Sequence, residues 1–312
     1  MMKRRIEHAV ITGATGMIGA HLTRHLLDRG IRVTAVVRPE SRKIVNLPLE
    51  REGLTVCYLD AAKIQGLELQ KGETADAFFH LAWAGTEGST RNDEEAQQKN
   101  VSYTLEAVRK AKELGCQVFI GAGSQAEYGF YEGKLSEDTP LHPVTAYGKA
   151  KLAAETESRK EAEKLKIAHI WPRILSVYGP FDNDYTLVSQ AVRGFLNKEE
   201  TAFTKGEQIW DYLYAGDCAE ALYHLALSGK DAQAYPLGKG EEIPLKTYIT
   251  AIRDEIDPSL PLGLGKRPYN EHQVMHLSAD ISALIRDTGY RPETLFCEGI
   301  RKTIEWIRGR ET

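Results

Sequence analysis

Residues 8–39, HAVITGATGMIGAHLTRHLLDRGIRVTAVVRP, decide the fold. His8 to Thr12 reads as a buried strand and Gly13, Gly16 and Gly19 as a tight turn. A helix follows through Arg29, with an apolar stripe at Ile18, Leu22, His25 and Leu26. Gly30 stops that helix, and 31–37 is a second, β-branched strand. Strand, glycine turn, helix and strand in this order form the unit that binds a dinucleotide pyrophosphate. Gly13 permits the turn. Gly16 leaves the N–H groups of the helix start open to a phosphate, and Gly19 lets the helix pack closely on the sheet. The positive end of the helix dipole adds attraction for the anion.

Outward from this unit the alternation continues. Short apolar strands are expected at 54–59, 75–82 (ADAFFHLA), 117–122 and 167–174, separated by helices of which 93–114 and 145–166 are the longest. The class is α/β: a Rossmann-type doubly wound parallel sheet with a smaller mixed C-terminal substrate lobe. The division is 1–175 for the dinucleotide-binding domain and 176–312 for the lobe, with 211–228 returning to the sheet side and an amphipathic closing helix at 295–308. Ligands bind beyond the carboxyl ends of such strands, where Asp60, Ala82, Trp83 and Ser124 lie.

Composition narrows the partners. The net charge of 312 residues is −4, with both signs interspersed, which points away from nucleic acid and anionic membrane. The apolar runs are shorter than a membrane span and MMKRRIEHAV lacks a signal-peptide core, so the expected location is cytoplasmic. Cys57, Cys116, Cys218 and Cys297 form no CxxC pair and read as free thiols. The histidines show no metal spacing; His21 and His25 share a helix without an evident third ligand.

The chemistry is carried by Tyr147-Gly-Lys-Ala-Lys151. Four residues apart on a helix, Tyr147 and Lys151 share a face. An ammonium about 4 Å from a phenol, at an effective dielectric near 20, stabilises tyrosinate by about 4 kcal/mol. That is roughly three pKa units, enough to bring Tyr147 near neutrality. Ser124 can hydrogen-bond the same substrate oxygen. Hydride transfer at carbon needs one proton moved on oxygen, and these three residues can move it.

The chain resembles an extended short-chain dehydrogenase/reductase of the NAD-dependent epimerase/dehydratase type acting on nucleotide sugars. The resemblance rests on Gly13-x-x-Gly16-x-x-Gly19, Asp60, His80-Leu-Ala82, Asn100-Val101, Ser124, Tyr128-Gly129, Tyr147-x-x-x-Lys151, Pro172-Arg173 and Val177-Tyr178-Gly179-Pro180. Asp211, Asp217 and Gly289-Tyr290-x-Pro292 complete the order. It implies Ser124, Tyr147 and Lys151 as catalytic residues, and a cofactor site of Gly13, Thr15, Gly16, Met17, Ile18, Gly19, Arg38, Asp60, Leu81, Ala82, Ala84, Asn100, Tyr147, Lys151 and Pro172. Asp60 would bond the adenine, although it reads equally as a helix N-cap. Lys151 would hold the nicotinamide ribose. Pro172 would flank the nicotinamide, or else mark a strand-end turn. A homodimer through helices 93–114 and 145–166 is implied as well.

Departures from the family pattern bear on the reaction. Where the 4,6-dehydratases carry an Asp-Glu pair, this chain has Gln125 and Ala126, and Glu127, one residue on, is expected to point to the other face of an extended segment. Dehydration is therefore not expected. The second strand ends in Arg38 where NAD-binding members carry an acid, which favours NADP(H), with NAD(H) possible. Ser176 and Trp210 replace an asparagine and an arginine that contact the substrate's diphosphate. Trp83, Gln125, Ser176, Trp210, Arg193 and Arg267 are the candidate substrate residues, with Lys205 a further cation. The first expectation is an NADPH-dependent reductase of a keto-sugar nucleotide with Tyr147 as proton donor. The alternatives are an NAD-dependent nucleotide-sugar epimerase and a cofactor-sensing regulator.

Overall fold

The computed structural model describes residues 3–271 and 273–311. Seven parallel strands form the main sheet: β1 His8–Thr12, β2 Arg32–Val37, β3 Leu54–Tyr58, β4 Ala77–His80, β5 Val118–Gly121, β6 Ala168–Ile174 and β7 Gln233–Leu237. Their spatial order is β3-β2-β1-β4-β5-β6-β7, the doubly wound arrangement, with the order reversing beside β1. A short extension, Gly123–Ser124, leaves β5 and pairs with the end of β6.

Eight helices complete the described chain: α1 Met17–Asp28, α2 Glu94–Glu113, α3 Ala146–Leu165, α4 Leu187–Leu196, α5 Ala215–Ser228, α6 Leu245–Ile256, α7 Ser282–Thr288 and α8 Phe296–Glu311. The two-residue period of the strands sorts the core into two layers. Ala9, Ile11, Phe79, Val118 and Ile120 face the cluster built with α1 and α5, while Val10, Phe78 and Phe119 face Ala107, Val108 and Ala111 of α2. Phe78, Phe79 and Phe119 are fully buried, each contributing about 2–3 kcal/mol by transfer. Caps fix the long helices. Asp93 accepts from Ala96 N at 3.1 Å to start α2, and Thr145 accepts from Gly148 N at 3.0 Å to start α3.

One strand was not legible. β7, Gln-Ala-Tyr-Pro-Leu, carries Pro236 and a polar start, but it is an edge strand, where a missing N–H is tolerated. Pro172 lies inside β6 rather than at a strand end. It falls between the pairing of Ala168–Ile170 with β5 and that of Arg173–Ile174 with Gly123–Ser124, where the neighbouring ladder is interrupted.

A smaller mixed sheet joins Ile243–Pro244, Ile209–Trp210 and His276–Ala279 with Lys134–Leu135, which precedes β6 in the chain. α4, α6 and α8 enclose a separate apolar cluster around Tyr178, Phe195 and Tyr248. Two family-motif acids serve here as fasteners. Asp211 is fully buried and accepts the N–H groups of Lys239, Gly240 and Ala279 at 2.7, 2.9 and 3.0 Å; Asp217 accepts from Thr294 N and Oγ1. No helix among the described residues is long and apolar enough to cross a membrane. Cys57, Cys116, Cys218 and Cys297 are free thiols.

Candidate functional site

The glycine turn works largely by close approach. Gly13 has φ +69°, and a Cβ there would lie 2.7 Å from Ala82 N. A Cβ on Gly19 would meet Gly13 O at 2.3 Å, so Gly19 serves contact between helix and turn rather than between helix and sheet. At Gly16 a Cβ would meet only Gly13 O, at 3.4 Å; the space over the start of α1 is otherwise open, as a bound phosphate requires.

A cleft of about 540 Å³ runs from this turn along the carboxyl ends of β1, β2 and β4. Thr15, Gly16, Arg38, Asp60, Leu81, Ala82, Trp83, Ala84 and Asn100 line it, and these residues fit a dinucleotide. Met17 and Ile18 do not line it; Ile18 is packed against the core. Asp60 does cap the following turn, accepting from Ala62 N at 2.8 Å, while also lining the cleft. Asn100 spends its amide on Ala84, accepting from Ala84 N at 2.9 Å and donating to Ala84 O at 3.0 Å, so it fixes the loop after β4. Pro172 is buried and lines neither this cleft nor the larger cavity. Arg38 is exposed at the end of β2, and no carboxylate pairs with it among the described residues.

Ser124, Tyr147 and Lys151 converge beneath this cleft. Gly148 makes the approach possible, since a Cβ there would lie 2.3 Å from Ala126 O; α3 therefore seats its first turn on the turn that follows Ser124. The Ser124 side chain sits close enough to the Tyr147 phenol to favour its ionised form, and Lys151 Nζ donates to Ala122 O at 2.6 Å. All three are less than 10% exposed. Trp83, which lines the cleft, packs against them. Its ring lies 3.6 Å from Lys151 Nζ and edge-on to Tyr147 at 6.0 Å, and Arg91 stacks on the Tyr147 ring at 4.3 Å.

The electrostatics differ from the sequence expectation. Burial pushes the Tyr147 phenol up from its ordinary value, outweighing Ser124 and Arg91, which pull it down. Burial also lowers Lys151 to about 7, with Glu127 working against the fall. A 4 Å ion pair in a wet dielectric was the wrong reference, because the pair is dry. At neutral pH the phenol keeps its proton.

Glu127 also corrects the expectation. Residues 125–127 form a 3₁₀ turn rather than an extended segment, and Ser124-x-x-Glu127 is a capping box, a signature readable in the sequence. Fully buried, Glu127 accepts from Ser124 N at 2.7 Å, Arg173 Nε at 2.7 Å and Trp171 Nε1 at 3.1 Å. The Trp171 indole fills the space left by Gly121 and Gly123, whose Cβ atoms would approach it to 2.1 and 2.4 Å. Arg91 went unrecognised as well, because its loop has no periodicity to read.

A second cavity, of about 840 Å³, opens in the smaller lobe and shares Tyr185 with the cleft. Arg193, Trp210 and Arg267 line it; Lys205 is exposed and does not. Arg193 donates to Asp184 at 2.9 Å. Trp210 Nε1 donates to Ser176 Oγ at 2.8 Å, so the two residues that depart from the family pattern are bonded to each other. Gln125 is half-buried beside Ser124 and lines neither cavity. Among the described residues no group of His, Cys, Asp or Glu is placed to hold a metal ion.

A family model described as NAD dependent epimerase/dehydratase family matches residues 9–238. An uncharacterized UDP-glucose epimerase of Bacillus subtilis is 26% identical, the alignment covering 96% of this chain and 97% of that protein. The crystal structure of UDP-glucose 4-epimerase from Thermotoga maritima, with UDP-glucose, superposes with a TM-score of 0.86 at 21% identity, over 98% and 100% of the two chains. MoeE5 in complex with UDP-glucose and NAD superposes at 0.81 with 26% identity, over 98% and 100%.

Proposed function

Since the chain belongs to the NAD-dependent epimerase/dehydratase family, we propose that it moves hydride and proton at one carbinol or carbonyl carbon of a nucleotide sugar. The observation that carries this reading is the buried group of Ser124, Tyr147 and Lys151 under a cleft shaped for a dinucleotide. When bound, the nicotinamide would accept or supply the hydride. Tyr147 would give the proton to the sugar oxygen, or take it in the reverse direction, with Ser124 fixing that oxygen. Arg91 is the cation that favours the ionised phenol, with Lys151 Nζ 5.7 Å from the same ring. The nucleotide would lie in the second cavity, along Trp210 and Tyr185.

Two features bear on the carrier and the reaction. MoeE5 carries NAD, and the B. subtilis relative is described as an epimerase. We therefore put NAD and epimerisation ahead of the NADPH-dependent reduction that Arg38 alone favoured. Reduction is the second reading, and Arg38, unpaired at the ribose end of the cleft, is its specific support. The family includes dehydratases, so membership leaves elimination open. Glu127, the carboxylate that touches Ser124, is committed to Arg173 and Trp171, and our reading stops at hydride and proton transfer. We also propose a homodimer through α2 and α3, which sedimentation velocity across a range of concentrations would reveal as a single species of twice the chain mass.

The test is to denature freshly purified protein, identify any released dinucleotide and titrate the emptied protein with NAD, NADH, NADP and NADPH. Tightly held NAD supports the epimerase. An empty protein that prefers NADPH, and loses that preference in Arg38→Ala, supports the reductase. A protein that binds none of the four overturns both.

A further inference from the structure

Trp83 is one of the candidate substrate residues and lines the cleft, and its ring is also held from within the protein. Its Nε1 donates to Gln97 Oε1 at 2.8 Å, and Gln97, itself buried, is pinned by donating to Gly85 O and Thr90 O. The indole is therefore held by the loop after β4 and by α2 in a fixed orientation. One face lies under Lys151 Nζ at 3.6 Å and the Tyr147 ring meets it edge-on. The ammonium has one carbonyl partner, Ala122 O at 2.6 Å, and an aromatic face on another side. An ammonium removed from water gains most from such a face, because no solvent competes for it.

We infer that Trp83 is a positioning residue for Lys151, its ring face holding the buried ammonium charged and fixed beside Tyr147. The inference rests on the reading of Tyr147 and Lys151 as the proton-transfer pair. Other charged and titratable groups face this position from every side. They are His80 on β4, Glu127 on the 125–127 turn, Arg173 on β6, Tyr147 and Glu155 on α3, and Arg91 over the Tyr147 ring. Glu127 and Glu155 both pair with Arg173, and Glu155 also pairs with Arg159, so the carboxylates near Lys151 are engaged with arginines. The ring stabilises the cation without adding a further charge.

Two measurements test it, one without substrate. The emission of Trp83, taken as wild type minus Trp83→Leu, should change with pH through a single midpoint at about 7, the value to which burial brings Lys151. It should not titrate in a Lys151→Met background. A flat signal, or one indifferent to Lys151→Met, overturns the inference. For turnover, activity should fall as pH rises through the Lys151 midpoint, and Trp83→Leu should move that fall to lower pH by about one unit. Trp83→Phe, which keeps a ring face, should restore most of the shift, and Gln97→Leu should shift it less; equal profiles in all four proteins contradict the role. Thermal unfolding and dinucleotide binding identify a variant that has failed to fold, in which case Trp83→Phe and Gln97→Leu decide the question. A titrating signal without turnover on any nucleotide sugar upholds the Trp83–Lys151 pair and sinks the functional reading. Turnover with a flat signal does the reverse.

Discussion

Tyr147 keeps its proton because the walls around it are dry. Its phenol is raised by burial, and the cation that lowers it, Arg91, does so only in part. A protonated phenol suits the direction in which a carbonyl is reduced; the reverse direction needs the positive side chains to hold tyrosinate. Tyr147→Phe should lower turnover by about 10²–10⁴-fold, the usual worth of a positioned acid-base group, and leave dinucleotide affinity within about threefold. Stopped-flow rates and equilibrium titration check both halves, and a variant that turns over normally would remove Tyr147 from the mechanism.

At the scale of elements, the turn after Ser124 joins the proposed proton-transfer residues to the packed sheet. Glu127 ties Ser124 N to Arg173 on β6, and Arg173 reaches on to Glu155 of α3 at 3.4 Å. Breaking one side of such a pair leaves a buried charge alone. Arg173→Met should destabilise the protein by about 3–5 kcal/mol in urea unfolding, and Glu127→Leu added to it should recover most of the loss. Failure of the double variant to recover would mean that the pair is not the source of the cost. Gly148→Ala should separate α3 from this turn, since its Cβ would lie 2.3 Å from Ala126 O. It should lower turnover more than stability, measured by kcat against the urea midpoint.

These cases mark what sequence could and could not carry. The strand–turn–helix unit and the Tyr147/Lys151 spacing were legible because they are periodic and local. Glu127 was misplaced because an extended segment was assumed, although its capping-box spacing was available to read. Trp83 and Arg91 were beyond reach: their partners, Lys151, Gln97 and Tyr147, are brought to them by the chain crossing between strands, and no local pattern encodes that. The Trp210–Ser176 bond was hidden for the same reason, two departures from a pattern being tallied separately when the fold puts them 2.8 Å apart.

For the whole molecule, a row of rings crosses the centre of the sheet from His80 through Phe119 and His169 to Trp171, with centroid spacings of 6.0, 5.8 and 5.7 Å. Both histidines are neutral in it: burial lowers His80 to about 3 and His169 to about 4. The unfolded chain takes up a proton at each near 6.5, before the folded one does, so their contribution to stability is present above that pH and is lost as pH falls toward 4. Asp182, raised to about 6 by burial, works the other way, which makes a difference measurement the clean one. The stability of wild type minus that of His169→Asn should shrink on acidification from pH 6.5 toward 4, by up to about 1.4 kcal/mol per pH unit. A difference that does not change with pH would mean that His169 is not held neutral.

The same row ends at Trp171, which bonds Glu127, and Glu127 bonds Ser124, so the sheet centre and the turn beside the trio are linked. We propose that the trio exchanges hydride between a nicotinamide dinucleotide and a nucleotide sugar with Tyr147 moving the proton. The most direct measurement mixes the dinucleotide-loaded protein with a panel of nucleotide sugars, in their hydroxyl and keto forms, and follows reduced-nicotinamide absorbance in a single turnover. A change is expected with at least one sugar in wild type, slowed about 100-fold or more in Tyr147→Phe although the dinucleotide remains bound. An absorbance change of equal rate in both proteins, or none with any sugar in the loaded wild type, would contradict it.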